Sequence, residues 1–417
     1  MCEKIVTSPD ELAAATADGD TKSIIVSGRL TDTPPIRLLS GQSLHGADPS
    51  AAIGFRRGVD GVELSTNNSL CNLRLYASPG QRAIFNSTAV TTLGRIELRD
   101  VTTIGRVHIV ARDQIRAGHV DVDGLDIIAA DSREESERPH SYGVYVLQGA
   151  FTLWNMQNDP NVAITADLAG VSAGRNGAPV RGSGIFVGGA GDNGGRLFIR
   201  RLETGAVYSD GGIPSGTPDC ISGGVFVVFG AFADDVRNRG PVTTYGANDM
   251  VLDNWGTVDS WISDQKVTSY GQSGIGFVNF GIINCLKVNE PIETFGQGAR
   301  GFNVYAGTVN SAEFERIVTH ADGAVGIQIS QPVGTIKINR GIETFGGTGK
   351  SLVKGVVTEL SAIALSIKPG GSARSVEIDG GAVTHGSRIS PFELHGAIEQ
   401  LRVGGGLDAR GGGFEKI

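Results

Sequence analysis

The sequence is poor in aromatic residues, which make up 6% of it, and in charged residues, which make up 19%. It contains no run of about 18 apolar residues, so a membrane-spanning helix is excluded. Basic residues number 36 against 44 acidic ones, which gives a net charge of −8. The chain therefore lacks the basic footprint of a nucleic-acid-binding protein, and we expect neither a nucleic-acid nor a membrane partner.

Cysteine is scarce as well. The four cysteines are far apart and form no CxxC pair: Cys2, Cys71, Cys220 and Cys285. Such spacing is not that of a disulfide framework or a zinc site, so we expect reduced, buried thiols and no metal centre. The N-terminal residues contain no apolar signal-peptide core, and the expected location is therefore cytoplasmic.

Glycine is abundant, with 62 residues in 417, and a pattern of 25 residues repeats along the second half of the chain. The pattern is a threonine or serine, then a ring-bearing residue, then a small residue. Its copies are Thr244-Tyr245-Gly246, Ser269-Tyr270-Gly271, Thr294-Phe295-Gly296, Thr319-His320-Ala321 and Thr344-Phe345-Gly346. Two apolar columns keep the same phase, and a fixed period of this length indicates a repeat architecture.

Each repeat consists of short runs rich in β-branched residues, separated by glycine, asparagine and aspartate. This pattern is typical of short strands joined by turns. Two or three short strands with their corners account for about 25 residues. We therefore predict an all-β fold, a single-stranded right-handed parallel β-helix or solenoid. Its coils would stack about 4.8 Å apart and bring residues of one column together.

We predict a single domain over residues 1–417. Residues 1–22 would form an N-terminal cap, in which Ser8-Pro9-Asp10-Glu11 begins a short helix. Residues 23–194 would form irregular coils with loop excursions, including a charged run at 132–138 before His140. Residues 195–411 would form regular coils, with Leu202 aligned with Val242 and with insertions near 206–220 and 347–371. An alternative alignment places the second insertion at 347–361.

The capping helix, the Ile25-Val26-Ser27-Gly28 entry, the turn at 38–46 and the 25-residue coils resemble the pectate-lyase-like right-handed β-helix superfamily. This resemblance is architectural, covers nearly the whole chain and implies a carbohydrate substrate. The Asp234-Asp235 pair is followed by no Gly-His-Gly of the polygalacturonases. The run at 261–264 lacks the histidine of the pectate lyases' Trp-Ile-Asp-His. No catalytic residue is therefore carried over from a family.

The two insertions would wall a cleft over coils 240–346. Its floor would be the corner column, namely Tyr245, Tyr270, Phe295, His320 and Phe345. Aromatic faces along a groove suit the apolar faces of sugar rings. The alternative is an aromatic ladder that only stabilises the stack.

Several polar residues are candidates for the chemistry of this cleft. The catalytic candidates are Asp219, Asp235, Asp249 and His320, and the substrate-binding candidates are Tyr245, Tyr270, Glu293, Arg300, Asp322 and Glu343. His320 lies two residues before Asp322, and Arg300 lies in the preceding coil. A histidine near a carboxylate is a natural pair for general acid–base catalysis. Glu293 and Glu343 would lie roughly 9–10 Å apart, at the upper limit for an inverting glycosidase. Solvated surface charges are the alternative for both acids.

These features predict a carbohydrate-active enzyme that cleaves or rearranges a glycosidic bond in a neutral glycan, as a glycosidase or transglycosylase does. One alternative is a lyase or epimerase on a uronate glycan, and another is a non-catalytic solenoid for binding or assembly. We expect no cofactor, apart from Ca²⁺ if the enzyme is a lyase. The C-terminal end shows no cap, which favours a homo-oligomer such as a side-by-side trimer.

Overall fold

The computed structural model of this protein describes residues 2–139 and 143–414, so His140 lies outside the described residues. Within them, the chain is all-β apart from one short helix, α1 (Pro9–Ala17). The all-β prediction is confirmed. No helix in the described part is long and apolar enough to cross a membrane.

Strand length varies along the first half of the chain. Its strands are β1 (Cys2–Val6), β2 (Thr21–Val26), β3 (Arg29–Thr33), β4 (Ile36–Arg37), β5 (Ser43–Gly46), β6 (Ala52–Phe55), β7 (Val62–Leu64), β8 (Ser69–Tyr76), β9 (Arg82–Asn86), β10 (Thr92–Ile104), β11 (Arg106–Ala111), β12 (Ala117–Ala129), β13 (Ser136–Glu137), β14 (Tyr145–Leu147), β15 (Gly149–Asn155), β16 (Ala163–Ala173), β17 (Val180–Arg181), β18 (Ser183–Gly188) and β19 (Arg196–Asp210).

The second half is more regular. Its strands are β20 (Cys220–Val227), β21 (Ala231–Asn238), β22 (Val242–Thr244), β23 (Asp249–Asn254), β24 (Thr257–Ser263), β25 (Val267–Ser269), β26 (Ile275–Asn279), β27 (Ile282–Val288), β28 (Ile292–Thr294), β29 (Arg300–Val304), β30 (Thr308–Phe314), β31 (Ile317–Thr319), β32 (Val325–Ile329), β33 (Pro332–Ile338), β34 (Ile342–Thr344), β35 (Thr348–Val353), β36 (Val356–Ser361), β37 (Leu365–Ile367), β38 (Ser372–Ile378), β39 (Ala382–Thr384), β40 (Phe392–Leu394), β41 (Ala397–Val403) and β42 (Leu407–Ala409).

Three parallel ladders run through this second half. The long strands β21, β24, β27, β30, β33, β38 and β41 form the first ladder. The short strands β22, β25, β28, β31, β34, β39 and β42 form the second ladder. The third ladder contains β23, β26, β29, β32, β37 and β40.

The register of these ladders follows the sequence repeat. Thr244 pairs with Ser269, and Ser269 pairs with Thr294, so residues 25 positions apart are neighbours. Buried apolar residues from all three ladders form one cluster that extends from Val6 to Ala382, while Ile275 and Val278 on the other face of the third ladder belong to a separate cluster. This pairing and this continuous core are consistent with a parallel β-helix.

The N-terminal helix forms where the capping signal predicts it. The Ser8 hydroxyl accepts a hydrogen bond from the Glu11 N–H at 3.3 Å, and the Glu11 carboxylate accepts one from the Thr7 N–H at 2.7 Å. Leu12 and Ala15 are buried in the core cluster. Strand β1 precedes the helix within the predicted cap and pairs with β2.

The irregular spacing of apolar residues in the first third of the sequence is explained by long strands that bend at residues with positive φ. Strands β10, β12 and β16 are 13, 13 and 11 residues long and continue around the bend between the first two ladders. At the bend, Asp100, Gly124 and Gly170 lie side by side with φ of 52°, 80° and 67°. Glycine tolerates this left-handed backbone at little cost, so the strand turns without ending.

Strand pairing also locates the two insertions. Val207, rather than Leu202, pairs with Val242, so the first insertion lies between Asp210 and Cys220. The register of β19 against β16 shifts between Ile199 and Val207, before the insertion, which the repeat spacing alone does not reveal. The second insertion is an antiparallel hairpin of β35 and β36, and the repeat resumes where Leu365 pairs with Ile327.

Candidate functional site

A cavity of about 430 Å³ lies on the outer face of the third ladder. Its floor is formed by side chains of β23, β26 and β29 that point away from the core cluster, including Asp253, Val278 and Arg300. The first insertion contributes Pro218 to its wall, and Cys220 follows it. The second insertion contributes Leu352, Lys354 and Gly355.

The two insertions approach each other across this cavity. A Cβ atom placed on Gly355, at the hairpin tip, would lie 2.9 Å from the Pro218 carbonyl oxygen. The Asn248 amide donates a hydrogen bond to the Thr217 carbonyl at 2.9 Å, which fixes the first insertion. The Leu352 N–H donates one to the Ser273 hydroxyl at 3.0 Å, which fixes the hairpin. Both insertions are thus anchored to the coils between them.

A row of aromatic rings lines the cavity at the corner that follows the third ladder. Trp255 stacks on Phe280 with ring centroids 4.0 Å apart, and Phe280 lies 5.3 Å from Tyr305. Phe229 meets Trp255 edge-on at 5.5 Å. The corner column Tyr245 and Tyr270, which the sequence places on the floor, does not line this cavity.

Arg300 is fully buried in the cavity floor, with 0% of its surface exposed. Its Nη2 donates to the Ser351 hydroxyl at 2.7 Å and to the Leu352 carbonyl at 3.4 Å, and its buried Nε has no hydrogen-bond partner. Within residues 2–139 and 143–414, no acidic side chain forms an ion pair with it. A buried guanidinium without a counter-ion is energetically costly.

Asp253 is the other ionisable group on the floor, and it is fully buried. Burial raises the pKa of Asp253 well above its usual range, and the hydrogen bond from the Trp255 side chain opposes that shift. The same column continues through Val278 to Asn303 and Gln328. The Asn303 amide and the Gln328 oxygen are buried without hydrogen-bond partners. Such atoms cost free energy unless water or a ligand satisfies them.

Asp249 does not face the cavity, although it is buried only four residues before Asp253. Its carboxylate accepts hydrogen bonds from the N–H groups of Gly246 at 2.8 Å and Gly211 at 3.3 Å, and it contacts the Ser222 hydroxyl. Burial raises the pKa of Asp249 to about 7. These bonds tie the corner of one coil to the start of the first insertion, which is a structural role.

The remaining candidates are dispersed. Asp219 is exposed at the end of the first insertion, and its carboxylate lies 3.9 Å from the Arg138 guanidinium. Asp235 lies in the first ladder, paired with Arg201 and Ser260. Asp322 accepts a hydrogen bond from the Gly347 N–H at 2.7 Å, at the base of the hairpin. The expected grouping of His320, Asp322 and Arg300 is therefore not formed.

The corner column forms a continuous stack of rings on the surface, which we call the ring stack. Its members are Tyr245, Tyr270, Phe295, His320, Phe345 and His385, with successive centroids 4.3–5.3 Å apart. Tyr270 is 48% exposed and Phe345 is 41% exposed, so the rings present their edges to solvent. Because the faces of the inner rings cover one another, these faces are not available to a sugar ring.

Two histidines of the ring stack bind glutamates of the second ladder. His320 Nε2 lies 2.8 Å from Glu293 Oε1, and His385 Nε2 lies 2.8 Å from Glu343 Oε1. Burial raises the pKa of Glu343, but hydrogen bonds from His385 and Arg316 outweigh it, so that the pKa lies below its ordinary value. The structure thus brings Tyr245, Tyr270, His320, Glu293 and Glu343 to one surface, separate from Arg300.

The cavity residues that the sequence analysis did not select also follow the repeat. Trp255, Phe280 and Tyr305 are 25 positions apart, as the ring-stack residues are. The same spacing could have identified them as a column. Lys354 is different, because it lies in the hairpin and only the fold brings it to the cavity.

No protein-family model matches this chain, and no curated protein or solved structure is significantly similar to it. The chemistry of the cavity is therefore the basis for assigning a function.

Proposed function

We propose that this protein binds a carbohydrate that carries carboxylate groups, such as a uronate glycan, in the cavity between the two insertions. The observation that carries this proposal is the buried Arg300, which has no acidic partner among the described residues. A guanidinium binds a carboxylate through two parallel hydrogen bonds, so a ligand carboxylate would supply the missing counter-ion. Because Ser351 and Leu352 of the hairpin cover Arg300, this binding would require the hairpin to shift away from the guanidinium. Lys354, at the tip of the hairpin, adds a second positive charge to the wall.

The aromatic row supports a sugar as the carrier of that carboxylate. Trp255, Phe280 and Tyr305 offer apolar ring surface beside Arg300, whose guanidinium carbon lies 5.8 Å from the Tyr305 ring centroid. A uronate combines an apolar ring face with one carboxylate and several hydroxyl groups. A pocket of apolar and aromatic walls with a few buried polar groups is typical of ligand sites. The neutral glycan expected from the overall acidic charge suits this cavity less well.

A lyase or epimerase reaction is the second candidate, and Asp253 favours it over hydrolysis. Glycosidases usually need two carboxyl groups, whereas Asp253 is the single acidic residue among the described residues that line the cavity. Elimination from a uronate removes the proton beside the carboxylate, breaks the bond to the glycosidic oxygen and protonates that oxygen. Arg300 would stabilise the negative charge that develops, and the Asp253 carboxylate would accept the proton from the carbon and then pass it to the leaving glycosidic oxygen. Since Arg300 supplies this charge, the proposal needs no Ca²⁺.

We also propose that the three ladders wind in a right-handed sense, as in the pectate-lyase-like superfamily. Crossovers between parallel strands of one sheet are right-handed in about 98% of cases. The capping helix and the stacked corners of the coils support this assignment.

Calorimetric titration with an α-1,4-linked galacturonate hexamer tests the binding proposal. We expect binding to the wild type, and a loss of at least about tenfold in Arg300→Met, since a hydrogen bond to a charged group contributes about 1.5–3 kcal/mol. Arg300→Lys keeps the charge and should recover part of the affinity. Equal affinity of all three proteins, or no binding by the wild type, would overturn the proposal.

A matched pair on the hairpin supplies the control. Lys354 lines the cavity, whereas Lys350 lies on the same hairpin, is exposed and does not line it. Lys354→Met should weaken binding of the hexamer, and Lys350→Met, which removes the same charge, should leave it unchanged. For the lyase candidate, the readout is the ultraviolet absorbance of the unsaturated product, which Asp253→Asn should abolish.

A further inference from the structure

A second depression, of about 520 Å³, lies on the outer face of the first ladder, in the coils that precede the cavity. One column of side chains crosses it. His119 pairs with Thr165, Thr165 pairs with Phe198, and Phe198 pairs with Phe232. No residue of this column lines the cavity on the third ladder.

The two phenylalanines form an exposed aromatic platform. Their ring centroids are 5.3 Å apart and their planes differ by 25°. Phe198 is 40% exposed and Phe232 is 37% exposed. Because the two rings cover one face of each other, the apolar surface they present in the depression consists of their outer faces and edges. The apolar face of a sugar ring packs on such a surface.

Beside the platform, polar side chains are held in a fixed network. His119 Nδ1 lies 2.6 Å from the Thr165 hydroxyl, and His119 Nε2 lies 3.0 Å from Asp121 Oδ1. The Arg95 guanidinium contacts the other oxygen of Asp121 at 2.7 Å. Groups already held in place lose little conformational entropy when they bind a ligand.

The charges of this depression favour a neutral ligand. Arg95 is paired with Asp121, and Arg200, which also lines the depression, is paired with Asp167. Asp234 is an exposed acid at the rim, and no basic side chain pairs with it in the part of the chain that the structure describes. With its arginines neutralised and one acid remaining, the depression would repel a polyanion, whereas its carboxylates can accept hydrogen bonds from hydroxyl groups.

We propose that this depression is a second carbohydrate-binding site, which takes a neutral sugar with its ring face on Phe198 and Phe232. Its polar rim, formed by His119, Asp121 and Asp234, binds the hydroxyl groups. The assignment is independent of the acidic glycan proposed for the cavity, because it rests on other residues and on the opposite charge balance.

Saturation-transfer NMR and calorimetry with β-1,4-linked hexamers of glucose, xylose and mannose test this site. We expect at least one hexamer to bind and to receive saturation at its ring C–H protons. The double variant Phe198→Ala/Phe232→Ala should bind about tenfold more weakly or worse, as expected from the loss of buried aromatic surface. Ile282→Ala is the matched control, since Ile282 is 44% exposed in the same column, outside the depression.

Failure of all three hexamers to bind, or equal binding by the double variant and the wild type, would overturn the second site. Asp234→Asn provides a further measurement that does not touch the platform and should weaken the neutral hexamer severalfold. Arg300→Met should leave the neutral hexamer unaffected while it loses the galacturonate hexamer. The two sites can therefore fail separately.

Discussion

Asp249 and Asp253 show how one strand gives two buried carboxyl groups different surroundings. In β23, the consecutive residues Val251 and Leu252 both belong to the core cluster, whereas Met250 and Asp253 line the cavity, so the regular alternation of side chains is broken. Asp249 consequently points into the corner, where backbone N–H groups bind it. Asp253 points outward into the cavity.

Asp249 should make the stability of the protein depend on pH. Its pKa is raised from an ordinary 3.8 to about 7, because burial disfavours the ionised form. The stability that the protonated group contributes is therefore fully present below pH 3.8 and is lost as the pH rises towards 7. Asn cannot ionise, so between pH 4.5 and pH 7.5 the stability of Asp249→Asn relative to the wild type should rise by about 3 kcal/mol.

Urea denaturation at the two pH values measures this difference. His108 acts in the opposite direction, because burial lowers its pKa to about 4 and its contribution is lost as the pH falls below 6.5. The pH dependence of the unfolding free energy must therefore be compared between the variant and the wild type. The wild-type pH profile alone would mix the contributions of Asp249 and His108. Asp235→Asn is the control, since Asp235 is only half-buried. Parallel pH profiles for Asp249→Asn and the wild type would contradict the assignment.

Arg300 should lower the stability of the ligand-free protein, because its buried charge has no counter-ion among the described residues. A buried ion without a partner can often be replaced by an apolar side chain with no loss of stability. We therefore expect Arg300→Met to unfold at the same temperature as the wild type or higher, while it loses the acidic glycan. Thermal unfolding followed by circular dichroism measures this. A large drop in the melting temperature would mean that Arg300 holds the hairpin in place instead of serving a ligand.

At the level of the strand and corner, the ring stack should stabilise neighbouring coils cooperatively. Phe295 contacts rings on both sides, at 5.0 Å and 4.4 Å, whereas Tyr245 contacts one ring, at 5.3 Å. Because an aromatic pair contributes about 0.5–1.5 kcal/mol, Phe295→Ala should lower the free energy of unfolding about twice as much as Tyr245→Ala. Guanidinium denaturation distinguishes the two. Equal losses would show that the rings do not act through their contacts.

The repeat in the sequence predicts which residues stack, because a fixed period determines the parallel register. It predicts Thr244, Ser269 and Thr294 as neighbours, and the structure pairs them. It does not predict which face the insertions cover. The hairpin lies over the third ladder because the Ser351 hydroxyl binds the Gly298 carbonyl and the Leu352 N–H binds the Ser273 hydroxyl there. Those contacts join residues more than 50 positions apart, and no local pattern encodes them.

For the whole molecule, the last described coil is covered only in part by the described residues. Among the described strands, β41 and β42 pair with earlier strands only. Apolar residues of this coil are only partly buried, namely Ile398, Leu401, Val403 and Leu407. Partly buried apolar side chains beside a sheet edge favour association with another chain.

We accordingly expect a homo-oligomer, with a side-by-side trimer as the proposed arrangement. Size-exclusion chromatography with light scattering should give a multiple of the chain mass. Leu401→Asp should shift the protein to the monomer, because it places a charge in the last described coil. A wild type with the mass of one chain at every concentration would contradict this expectation.

We propose that the cavity between the insertions holds a carboxylate-bearing sugar. A crystal structure of the protein with a bound galacturonate oligomer tests it most directly. We predict a sugar carboxylate within hydrogen-bond distance of the Arg300 guanidinium, with the ring against Trp255, Phe280 or Tyr305. A cavity that stays free of sugar while the oligomer binds along the ring stack, or anywhere else on the coils, would contradict the claim.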